Sequence, residues 1–246
     1  MEGEVTPPAV AAVRGAAVHR GAQANHINIK DNGEPLSKSD IVDVTVTAYR
    51  EVLEEGVSLT KDEAANQGET LGKAKDEAVA LSGLYSDAVS PLIQEPRLIE
   101  EKIEIDMGLK LPLYGTIDLL HKRNQILDIK TAAKRKPDSF GVGNLQAAAY
   151  TMLARSVIEE QPTFEFKFLV ANKTPAEQTI AAVIQETDEL ALKARAGALI
   201  AMMNTGIFPP ANPDDWYCSE TWCGYHSTCP YVSHPTTIQI TETINA

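Results

Sequence analysis

The sequence predicts a mixed α/β fold, a central mixed β-sheet flanked by helices, and three observations carry that reading. Helical periodicity occupies most of the first 92 residues. Three short Ile- and Leu-rich runs, separated by Gly, Pro and Asn, begin near Leu98. A helical stretch then divides these runs from two further strand-like ones, and no internal repeat interrupts the order.

Taken along the chain, "AVRGAAVHRGAQAN" is the first helical set and "KDNGEP" a loop. In "SKSDIVDVTVTAYREVLEEG", Ser39 can cap a helix whose apolar Ile41, Val42, Ala48, Tyr49, Val52 and Leu53 recur at helical spacing up to Gly56. Thr60 and Glu63 form a capping-box pattern that opens one long helix to about Ser86. The runs "RLIEEKIEIDM", "LPLYGTIDLLH" and "NQILDIKTA" read as an antiparallel strand set. "NLQAAAYTMLARSVIEE" reads as a helix with Leu145, Ala148, Ala149, Met152 and Leu153 on its inward face. Two more strands, "FEFKFLVANK" and "EQTIAAVIQE", precede a final helix capped by Thr187 and ending near Gly206.

A chain of 246 residues can bury a substantial core, and one large domain with appendages is the expected organisation. No apolar run approaches the ~20 residues of a membrane span, and the start lacks the basic-then-apolar layout of a secretory signal, which points to a cytoplasmic protein without a membrane partner. A net charge of -12 excludes a general nucleic-acid coat. Locally the sign reverses, because His121 to Phe140 holds six basic residues against two acids. An acidic body with one basic patch suits a protein that grips a polyanion in one place; an ordinary solvated loop has the same composition.

Chemistry concentrates in "YGTIDLLHKRNQILDIKTA". Asp128 and Lys130 are two apart on one strand and project from the same face. A hairpin around Asn124 brings Asp118 alongside. Two carboxylates suit Mg²⁺, which takes one or two protein carboxylates and keeps several waters. A neighbouring lysine can orient water or offset charge growing on a phosphate. The spacing alone also fits solvent-facing strand residues. Glu101 or Glu104, on the preceding strand, can add a further carboxylate. All three cysteines, Cys218, Cys223 and Cys229, fall in "WYCSETWCGYHSTCP", and an odd cluster without a signal peptide reads as metal ligation sooner than as disulfides.

The run Gly115 to Asp118, Asp128 to Lys130 and Gln146 to Tyr150 (G-x-x-D, D-x-K, Q-x-x-x-Y) resembles the PD-(D/E)XK nuclease superfamily, in its RecB-like, phage-type exonuclease branch. Gly15 and His19 match the upstream G-x3-H pattern of that branch, and the resemblance spans about residues 10 to 232. It implies a restriction-endonuclease-like core and a Mg²⁺- or Mn²⁺-dependent DNA exonuclease serving phage recombination, replication or DNA processing. By the same resemblance, His19, Asp118, Asp128 and the backbone carbonyl of Ile129 hold the metal and Lys130 positions the attacking water. Gln146 and Tyr150 face DNA or the active centre, and Lys134, Arg135 and Lys136 contact phosphates. A catalytically silent DNA-end-binding or assembly module of the same fold is the alternative.

The expected partners are linear DNA ends, a single-strand annealing protein and further copies of the chain. The implied layout is a helical region at 1–92, a nuclease core at 93–210, a Cys-rich segment at 211–232 and a flexible tail at 233–246. Members of this branch hold a 4Fe-4S cluster with three C-terminal cysteines and one N-terminal cysteine, and this chain has only the three. Three readings follow: a truncated or divergent start, a zinc or cluster site completed by His226, or thiols packed among Trp216, Trp222 and Tyr225.

Overall fold

A computed structural model describes residues 7–158, 160–212, 214–215, 217–219 and 222–232. The expected tail at 233–246 and Trp216 lie outside the described residues. Four helices come first: α1 Val10–Asn32, α2 Lys38–Glu54, α3 Lys61–Ala65 and α4 Gln67–Ala88. Strands β1 Leu98–Ile105, β2 Leu113–His121 and β3 Gln125–Ala132 follow, then α5 Leu145–Ile158, β4 Thr163–Val170, β5 Ala176–Ala182 and α6 Glu186–Thr205. The five strands lie in chain order in one sheet. β1, β2 and β3 are antiparallel, β3 and β4 are parallel with α5 as the crossover, and β5 returns antiparallel. The sheet is therefore mixed.

Two apolar clusters hold helices to its faces. On one side Val13, Ala17 and Val18 of α1, Ile41 and Tyr49 of α2, and Leu81 and Tyr85 of α4 pack on Leu119, Leu127, Ile129 and Leu169 of the sheet. On the other, Ala147, Leu153 and Ala154 of α5 pack with Ile126, Phe164, Phe166, Phe168 and Ile180. Inside the helical layer a polar network is closed by Asn25, whose Nδ2 donates to Tyr85 Oη at 2.9 Å and Ser90 Oγ at 3.0 Å while its Oδ1 accepts the Leu36 N–H at 2.9 Å. Buried amide groups so satisfied fix how the helices meet.

Several local expectations need correction. Ser37, not Ser39, caps α2, accepting from the Asp40 N–H. The Thr60–Glu63 capping box is present, but the helix it opens stops after five residues, because Asn66 leaves helical geometry at φ -126°, ψ 39° before α4 begins. The last helix begins at Glu186, behind an N-cap Gln185 whose N–H donates to Asp188 Oδ2 at 2.9 Å, so Thr187 lies inside it. Gly206 ends it in the left-handed region at φ 69°, a conformation glycine adopts without Cβ strain. Although α6 has 20 residues, none is buried; it is tied to α5 by a two-pronged pair from Arg155 to Glu189, at 2.9 and 2.6 Å. No helix among the described residues is long and apolar enough to cross a membrane.

Candidate active site

The site lies where two strand ladders give way. β2 and β3 pair only at Leu119–Leu127, Leu120–Ile126 and His121–Gln125, around a hairpin whose Arg123 and Asn124 take positive φ of 59° and 55°. Continuing that register, Asp118 stands opposite Asp128 at the first position beyond the ladder. In place of the missing rung, Asp118 Oδ2 accepts the Ile129 N–H at 2.9 Å. The N–H and C=O of a strand residue leave on the same side, so the Ile129 carbonyl faces the same opening.

On the other flank of β2, Ile99 pairs with Leu119 and Glu101 with Ile117, which sets Glu100 opposite Asp118. Glu100 has a φ of 48° in mid-strand, a strained value for a residue with a Cβ. Its carboxylate turns toward α1, where His19 Nδ1 lies 3.9 Å from Glu100 Oε1 and 3.5 Å from Asp118 Oδ2. At such distances these are charge contacts rather than hydrogen bonds. On β3, Lys130 Nζ pairs with Asp128 Oδ2 at 2.7 Å, and the Oδ1 of this fully buried carboxylate has no hydrogen-bond partner.

Two glycines set the approach of the helices. A Cβ on Gly15 would stand 3.2 Å from Thr131 Oγ1, so its absence lets α1 lie close to β3 and brings His19 over the acids. A Cβ on Gly115 would meet Leu153 Cδ1 at 2.8 Å and the Tyr150 ring at 3.2 Å. Without it, α5 settles against β2, and Gln146 and Tyr150 come together, with Gln146 Nε2 donating to Tyr150 Oη at 3.2 Å.

Three acids in a half-buried niche repel one another. Burial first, then Asp128 and Glu100, push Asp118 up to about 7, against the pull of His19 and the Ile129 N–H. Asp128 is also raised, chiefly by burial, with Lys130 opposing. Burial alone would lower His19, but Glu100, Asp118 and Asp128 outweigh it and the imidazole is held above its ordinary value. Burial raises the Tyr150 hydroxyl, and the charges of Asp118, Asp128 and Glu100 add to the effect, so it remains a proton donor. Such a niche favours a cation.

Among the described residues, one group of His, Cys, Asp or Glu has its ligand atoms mutually within 4.8 Å: His19, Glu100 and Asp118. One imidazole nitrogen and carboxylate oxygens at these separations fit a divalent first-row ion or Mg²⁺. Glu100 is the carboxylate that sequence reasoning missed; it was sought at Glu101 and Glu104, which are exposed. Lys134, Arg135 and Lys136 are exposed beyond β3, held in place by the Gln178 side chain, which accepts the Lys136 N–H at 2.9 Å and donates to its carbonyl at 2.8 Å. Cys218, Cys223 and Cys229 line one cavity of about 170 Å³ with Tyr217 and Tyr231. Their sulfurs do not close to mutual ligand distance, and His226 is not in that lining.

No family model matches the chain and no curated protein matches it. A solved structure of a proposed exonuclease from Eubacterium rectale is similar over 98% of this chain and 100% of its own, at 11% identity and a TM-score of 0.46. Another, SSO0001, is similar over 94% of this chain and 89% of its own, at 13% identity and a TM-score of 0.33.

Proposed function

We propose that the chain is a divalent-metal-dependent deoxyribonuclease that hydrolyses phosphodiester bonds, acting as an exonuclease of RecB-like type on linear DNA ends. The observation that carries the reading is the meeting of Asp118, Asp128 and Lys130 where the β2–β3 ladder ends, with Asp128 fully buried, its Oδ2 paired to Lys130 and its Oδ1 without a hydrogen-bond partner. Asp128, so placed, makes no bond that holds the sheet together, and a carboxylate is costly to bury.

In this reading Asp118, Asp128 and the Ile129 carbonyl hold Mg²⁺ or Mn²⁺, with His19 completing the donor set. When bound, such an ion polarises the phosphoryl oxygen and makes water a stronger nucleophile near neutral pH. Lys130, anchored by Asp128, keeps its ammonium at the mouth of the site, where it orients water and offsets charge growing on the phosphate. Gln146 and Tyr150 offer hydrogen bonds to the substrate from one helical face. Lys134, Arg135 and Lys136 supply positive charge for the DNA backbone, while the net charge of -12 of the whole chain favours release. The three thiols at the shared cavity form a candidate zinc or iron-sulfur position, if the segment tightens around the ion.

The test is degradation of end-labelled linear duplex, linear single strand and closed circular DNA with Mg²⁺, Mn²⁺ or EDTA. Metal-dependent loss of the linear substrates, abolished in Lys130→Ala, is expected. DNA binding without cleavage at any metal concentration would instead establish the silent end-binding module.

A further inference from the structure

We propose that the outer half of the β1–β2 ribbon is a stacking platform for an unpaired nucleotide, with Tyr114 taking the base and Lys102 the adjoining phosphate. The inference rests on the nuclease reading and deepens it, because it names the substrate of that site as a single-stranded end. β2 and β3 part beyond Leu119–Leu127, whereas β1 and β2 stay paired from Leu98–Leu120 to Ile105–Leu113. A two-stranded ribbon therefore runs outward from Asp118. One of its faces, with Ile103 and Gly115, is braced by Leu153 and Tyr150 of α5. Its tip is braced by α6, where Lys110 Nζ donates to Asn204 Oδ1 at 3.1 Å. The pairs Lys102–Thr116 and Glu104–Tyr114 alternate with the braced residues and project from the opposite face, and all four residues are exposed.

Tyr114 keeps 64% of its surface exposed, on a braced strand rather than a loop, and Lys102 Nζ lies 4.7 Å from its ring centroid. With the ammonium on one side, an exposure this high leaves the other side of the ring open. A ring on a rigid backbone offers a flat face on which any base can stack. Glu104, opposite Tyr114, repels phosphate, so this end of the ribbon selects a base rather than a backbone. Lys102, level with Thr116, is the cation on this face between Tyr114 and Asp118. Four residues of strand set Tyr114 ~13 Å from Asp118, about four nucleotide steps at the ~3.4 Å rise of stacked bases. Inside a duplex each base is already stacked on its neighbours, and only an unpaired or frayed end presents one to such a ring.

Fluorescence anisotropy of a labelled oligothymidylate and of a labelled blunt duplex, each titrated with the full chain in EDTA, tests the proposal. Tyr114→Ala is expected to weaken single-strand binding by about 5- to 100-fold and to change duplex binding by less than about twofold. Its slope against log salt should match wild type, because a stacked base releases no counterions. Tyr114→Trp should bind the single strand at least as tightly as wild type, and Lys102→Ala should flatten the salt slope by about 0.7. Single-strand affinity unchanged in Tyr114→Ala, lost equally in Tyr114→Trp, or lost equally for the duplex, would overturn the platform. Cleavage assays with Mg²⁺ on the same samples keep the two readings apart. The expected loss of binding in Tyr114→Ala, with no DNA cut by wild type, would sink the nuclease and leave the platform standing. Cleavage by wild type, with single-strand binding indifferent to Tyr114, would do the reverse.

Discussion

Replacing Asp118 by Asn is expected to stabilise the metal-free protein at pH 8. Burial and the neighbouring acids push Asp118 up to about 7, against 3.8 for an ordinary aspartate. The folded state thus holds this proton more tightly than the unfolded chain does. Its contribution to stability is complete below pH 3.8 and is lost as pH rises through about 7. A shift of about three pH units at ~1.4 kcal/mol each makes the ionised carboxylate cost about 4 kcal/mol at pH 8. The attraction of His19 is already contained in that figure, and Asn avoids most of the cost, so the net gain is about 2–4 kcal/mol. For a chain of this size that is about 5–15 °C in melting temperature. Melting curves in EDTA should place Asp118→Asn above wild type at pH 8 and level with it at pH 4. Mn²⁺ should reverse the order at pH 8, because only wild type gains from binding. A variant that melts below wild type at pH 8 in EDTA would refute the argument.

Other perturbations have equally definite outcomes. Gly115→Val should cost about 1–3 kcal/mol by overpacking against Leu153 and Tyr150, and should reduce DNA cleavage more than Mn²⁺ binding, as read by chemical denaturation and activity together. His26 is buried beside Tyr85 with neither nitrogen bonded, and burial with His121 and His19 nearby depresses it from 6.5 to about 3. Stability is therefore present above pH 6.5 and drains away as pH falls toward 3; His26→Phe should resist urea better than wild type at pH 4, by about 3 kcal/mol relative to their difference at pH 7. Replacing Lys134, Arg135 and Lys136 together by Ala should weaken DNA binding and flatten its dependence on log salt by about 2–3 units, measured by anisotropy from 50 to 200 mM salt.

Much of this was legible in the residues. Short apolar runs bounded by turn residues marked all five strands, and the Asn124 turn placed Asp118 beside Asp128. Glu100 was not legible, because "EEKIE" offers three acids and alternation favours no one of them. The positive φ that turns Glu100 toward His19 is a tertiary effect. The inward face of α5 was also misjudged. Of the expected Leu145, Ala148, Ala149, Met152 and Leu153, only Ala148 and Leu153 are buried, together with Ala147, Thr151 and Ala154, while Leu145, Ala149 and Met152 are half-buried. The cap assignments failed for a simpler reason: both Ser37 and Ser39 are competent caps, and only the path of the preceding chain decides between them.

His19 and Asp118 lie about a hundred residues apart in the chain, and this separation gives the site a birth order. During synthesis α1 emerges first, and α2 and α4 can close around Asn25, Tyr85 and Ser90 before any sheet exists. Asp128 and Lys130 follow, and the imidazole meets the acids only when Leu119, Leu127, Ile129 and Leu169 dock on the waiting helices. A nascent chain halted before β3 carries the histidine but neither Asp128 nor Lys130. Any chemistry that needs the imidazole beside Asp118, Asp128 and Lys130 would then begin only once the sheet has docked on the helices.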